Sequence, residues 1–109
     1  MRRLYYSSGS LLTGDEVCKA VLRYARALAI TGDADIIVIP VVTDDGISGL
    51  AHMLVGPASQ VFSMPAASQG DDPYDADIID KLNAMTRGLQ PSRPEAEAAR
   101  TDVHDLDMY

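Results

Sequence analysis

The chain has 109 residues, with 47% hydrophobic and 23% charged side chains and a net charge of −7, the make-up of one globular domain with one core. That acidity disfavours binding to nucleic acid or to an anionic membrane surface, since either approach works against repulsion, and no apolar run nears the ~18 residues of a membrane span. The single cysteine, Cys18, excludes an internal disulfide and a cysteine cluster for zinc, and nothing in the pattern requires a metal or cofactor.

The first residues run Met1-Arg2-Arg3-Leu4-Tyr5-Tyr6-Ser7-Ser8. A secretory leader would continue through a longer apolar stretch to a cleavage site, so a cytoplasmic protein is expected. Arg2 to Ser7, with two aromatics, reads as a first strand. The stretch Tyr5 to Glu16, YYSSGSLLTGDE, then has the outline of a phosphate-binding loop, with glycines spaced G-x-x-x-x-G ahead of a helix. A P-loop needs lysine and Ser/Thr directly after its second glycine, whereas Gly14 is followed by Asp15 and Glu16, which would repel phosphate. Thr13-Gly14-Asp15-Glu16 instead fits a T-x-x-E capping box, in which Thr13 accepts from the Glu16 amide and Glu16 reaches back. Upstream of those carboxylates, Ser7, Ser8, Gly9 and Ser10 are left as candidates to hold a neutral polar ligand.

Val17, Ala20, Val21, Tyr24, Ala25 and Leu28 recur at helical spacing and predict a first helix with one buried face. Lys19, Arg23 and Arg26 form a basic stripe opposite it. Thr31-Gly32 ends the helix, glycine being suited to the left-handed conformation that closes a C-terminus. Ile36 to Val42 is almost wholly β-branched and reads as a second strand. Pro40 cannot donate to a ladder, which places this strand at a sheet edge or puts a bulge in it. Thr43-Asp44-Asp45-Gly46 supplies turn chemistry before a third strand, Ile47 to Val55, and Gly56-Pro57 breaks it ahead of a fourth, Ser59 to Met64. In the second helix Asp72 is the expected cap and Pro73 the first residue, with Asp75 and Asp77 complementing the dipole and Ile78, Leu82, Met85 and Leu89 forming the stripe. Residues 91–109 are rich in Pro, Glu, Ala, Arg and Asp and read as a largely disordered acidic tail, leaving 1–90 as the domain.

Three further constellations need weighing. His52 and Cys18 are the minimum for thiol catalysis, but His52 alternates with Leu50 and Leu54, and an isolated cysteine on a helix is more often an inert buried side chain. Asp71, Asp72, Asp75, Asp77 and Asp80 lack the ligand order of a calcium loop. The basic face Lys19, Arg23, Arg26 faces an acidic tail carrying Asp102, Asp105 and Asp107 among Val103, Leu106, Met108 and Tyr109, a pattern suited to weak docking on a neighbouring chain.

The most informative feature is an excess. The second strand is apolar on both faces, Ile36, Val38, Pro40 and Val42 against Ile37, Ile39 and Val41, and so is the third. Two helices cover about one face of a four-stranded sheet, so a second copy is expected on the other. The sequence therefore predicts a two-layer α+β domain, ordered β-α-β-β-β-α with the last three strands a meander. The position of the first strand in the sheet stays open: the helical crossover after it suits an arrangement parallel to the second, with or without another strand between. The functional expectation is a non-catalytic, self-associating interaction or regulatory module, a homodimer. The alternative is a small enzyme or small-molecule binder using the Ser7–Ser10 loop with His52, which requires those groups to converge.

Overall fold

In the computed structural model, which describes residues 1–7, 9–67 and 70–89, the elements are β1 (Arg2–Tyr6), β2 (Gly9–Thr13), α1 (Asp15–Thr31), β3 (Asp35–Val42), β4 (Ser48–Val55), β5 (Phe62–Pro65) and α2 (Ala76–Leu89). The α+β class holds, but the sheet has five strands, not four, and the order is β-β-α-β-β-β-α. The additional strand is Gly-Ser-Leu-Leu-Thr. Its Gly9 and Ser10 carry turn chemistry, and two leucines are too few to reveal a period; pairing with β1 makes it a strand, Leu4 opposite Leu11 and Arg2 opposite Thr13. The stretch that resembled a phosphate loop is thus a β-hairpin.

All pairings are antiparallel, in the order β4-β3-β2-β1-β5. One correction follows. The last three strands are not a meander, because β5 leaves the β3–β4 hairpin and pairs with β1 at the far edge, Leu4 opposite Ser63. β1 runs parallel to β3 with β2 between them, one of the two arrangements the sequence left open. Pro40 sits in β3, a strand flanked on both sides. It is tolerated because its carbonyl points towards β2, where Thr13 Oγ1 donates to it at 2.7 Å, so the missing N–H removes no bond to β4.

That same bond overturns the capping box. Gly14 is the N-cap of α1 and makes no side-chain cap, while Thr13 is fully buried at the end of β2. Asp15 and Glu16 do lie in the first turn, as the dipole favours. At the other end Gly32 adopts φ 77° and donates its N–H to the Leu28 carbonyl, as the sequence predicts. The second helix is capped by Asp75, not Asp72: Asp75 Oδ1 accepts from the Ile78 N–H at 3.1 Å. Asp72 instead lies 3.0 Å from the Met1 amino group, which Asp15 also approaches at 3.2 Å; hydrogen bonding to Asp72 raises the pKa of that amine.

Both helices serve one face of the sheet. Val17, Val21, Tyr24 and Leu28 of α1 and Leu82 of α2 form a single buried cluster with Leu4, Ile37, Ile39, Met53 and Val55. Arg23 Nη2 donates to Asn83 Oδ1 at 3.1 Å, tying the helices together. No helix among the described residues is long and apolar enough to cross a membrane. The expected disordered tail, 91–109, falls outside the described residues.

Candidate functional site

The side chains of β3 and β4 that alternate with the core set point the other way. Ile36 pairs with Leu54, Val38 with His52 and Pro40 with Leu50. Ile36, Leu54 and Leu50 are 64%, 67% and 61% exposed. The apolar excess on both faces of these strands therefore becomes one buried face and one open face. Across the sheet Tyr5 stacks on Phe62 with centroids 4.7 Å apart, and Phe62 and Met64 are also more than half exposed. Between these two apolar ends Arg3 donates to Ser10 Oγ at 3.1 Å and to Asp44 Oδ1 at 3.0 Å, pinning the β3–β4 turn against β1.

The groups proposed for a small-molecule site do not converge. Ser7 is exposed at the β1–β2 turn, Ser8 lies outside the described residues, and Ser10 is half-buried and engaged by Arg3. His52 lies opposite Val38, while Leu12 lies opposite Val42, so Ser10 and His52 are offset by about 20 Å along the strands. His52 is exposed on the open face, between Leu50 and Leu54. Cys18 is buried on the helix face, so the sheet separates thiol from imidazole. Burial pushes the Cys18 thiol up, the Ser63 hydroxyl and the Arg2 charge offsetting this only in part, and the neutral thiol is the form favoured there.

The basic stripe is divided among different tasks. Arg23 is committed to Asn83, Lys19 approaches Glu16 at 3.8 Å, and exposed Arg26 lines a groove between α1 and the chain leading into β5. This groove, about 520 Å³, has an apolar lining of Leu22, Ala25, Ala29 and Val61. It adjoins a second depression of about 260 Å³ near Arg2, Asp15, Cys18 and Lys19, and the two share Leu22 and Ser63. Arg2 Nε donates to Ser63 Oγ at 3.0 Å across the floor. Sequence reading missed this groove, because only the non-local pairing of β5 with β1 brings the two segments together. Among the described residues no group of three or more His, Cys, Asp or Glu side chains is placed to hold a metal ion.

Compared with known protein families, curated proteins and solved structures, the chain matches none.

Proposed function

We propose that the chain is a non-catalytic interaction module of the cytoplasm that associates with a second copy of itself through the open face of β3 and β4. The observation that carries this reading is the exposed set Ile36, Leu50 and Leu54, arranged across two paired strands. An isolated exposed leucine needs no explanation, but a contiguous apolar patch on a small domain marks an interaction surface. Charge supports a like partner. The chain carries a net −7, yet the outward positions of these strands, Ile36, Val38, Pro40, Val42, Ser48, Leu50, His52 and Leu54, include no carboxylate. Two copies therefore meet there without opposing carboxylates. The rim of the same surface is β4, an edge strand of sequence Ser-Gly-Leu-Ala-His-Met-Leu-Val, which has none of the Lys, Pro or inward charges that usually protect a free edge. A two-fold arrangement covers both copies with the same patch.

Sedimentation at micromolar concentration tests this. The expected mass is about twice the 11.7 kDa of one chain, and Leu50→Lys/Leu54→Lys returns it to one. A wild-type chain that sediments as a monomer, or a double variant that still dimerises, removes the proposal.

A further inference from the structure

We infer that the groove between α1 and β5 is a docking site for this chain's own C-terminal segment, residues 103–109, taken up as an extended strand. The groove has the chemistry for one kind of occupant. Its walls are apolar, at Leu22, Ala25, Ala29 and Val61, while Arg2, Lys19 and Arg26 line the two adjoining depressions. In a chain with nine Lys and Arg against sixteen Asp and Glu, three cations line the two depressions, Arg26 the groove itself and Arg2 and Lys19 the one beside it, with Glu16 3.8 Å from Lys19. The one carboxylate lining the depressions, Asp15, lies at the Arg2 end and is 3.2 Å from the Met1 amino group. An acidic segment with apolar side chains at alternate positions fits such a surface.

Residues 103–109 read Val-His-Asp-Leu-Asp-Met-Tyr. In an extended chain Leu106 and Met108 share one face with His104, and Asp105 and Asp107 share the other, flanked by Val103 and Tyr109. The floor of the groove meets the first pair and its cations attract the second. The neighbouring strand also invites an addition, since β5 is the last strand of the sheet and its outer side has no partner strand among the described residues.

The chain can reach. Gly14, at the start of α1, lies against the backbone of Pro73 ahead of α2, and Arg23 meets Asn83 midway along both helices. The helices therefore run side by side in the same direction, and α2 finishes near the end of α1, where Arg26 and Ala29 line the groove. Residues 90–102 can extend to about 45 Å, well beyond the roughly 26 Å length of α1. Docking within one chain needs no second copy.

The test uses the full chain labelled with nitrogen-15. Wild type is compared with Leu106→Asp/Met108→Asp and, separately, with Arg26→Glu, whose position is exposed. Each variant should shift the amide resonances of Leu22, Val61 and Ser63, and speed exchange of the outward amides of β5 about tenfold. The wild-type resonances should stay constant over a roughly tenfold change in protein concentration, as intramolecular docking requires. Unchanged groove resonances in both variants would overturn the inference, and concentration-dependent shifts would replace it with docking between copies. The groove borders the helix layer and the self-association face lies on the other side of the sheet, so the two proposals fail separately.

Discussion

Thr13 joins the two halves of the sheet, and replacing it distinguishes a buried seam from a helix cap. The hairpins β1–β2 and β3–β4 meet through the ladder pair Leu12 and Val42, supplemented by the bond from Thr13 Oγ1 to the Pro40 carbonyl. Thr13→Val keeps the shape but leaves that partly buried carbonyl without its hydroxyl donor, a cost of about 2 kcal/mol. Thr13→Ser retains the hydroxyl and loses one buried methyl, about 1 kcal/mol. Thr13→Asp places a carboxylate in a fully buried position facing a carbonyl oxygen, and should cost at least about 3 kcal/mol. A helix cap reverses the order of Val and Asp: Ser and Asp substitute with little loss, and Val costs about 1 kcal/mol. Urea denaturation followed by circular dichroism reads the difference, with an unchanged m value showing that the unfolded state is the same. For Thr13→Val the melting temperature should fall by about 10 °C. A Thr13→Asp variant within about 0.5 kcal/mol of wild type would refute the assignment of Thr13 to the sheet.

Gly14→Ala should destabilise by about 3 kcal/mol, read by the same denaturation, because a Cβ there would overlap the Pro73 carbonyl oxygen and force the start of α1 away from the approach to α2. Met53→Ala should cost about 3 kcal/mol through a core cavity, whereas Leu50→Lys/Leu54→Lys on the opposite face of β4 should leave the near-ultraviolet circular dichroism unchanged. Burial, reinforced by donation to Asp35 Oδ2 at 2.6 Å, pushes the Tyr24 phenol up to about 12 from an ordinary 10.0. The unfolded chain therefore releases that proton first as pH rises, and the contribution of Tyr24, fully present below pH 10, is lost between there and about pH 12. The loss is on the order of 2 kcal/mol, visible as a steeper alkaline fall in stability that Tyr24→Phe flattens.

Local features carried much of this protein. The helical stripe from Val17 to Leu28, the β-branched run from Ile36 to Val42, and the left-handed stop at Gly32 each depend on neighbours within one or two turns, and each stands where the sequence places it. The two-faced apolar character of β3 and β4 was also legible, because alternation assigns Leu50, His52 and Leu54 to one side before any partner is known. Tertiary structure decided what long-range pairing alone can decide. Gly9 to Thr13 became a strand because β1 lay beside it. Thr13, whose spacing to Glu16 is that of a cap, was drawn into the core by an acceptor far away in sequence, the carbonyl of Pro40. Asp72 gave up a helix terminus for the Met1 amino group, and Asp75 took the cap. β5 crossed to the far edge and built a groove with α1 that neither segment announces by itself. Helix periodicity and turn chemistry are properties of adjacent residues, whereas strand order and the partners of buried hydroxyls depend on which distant surfaces come together, and that is settled only when the whole chain packs.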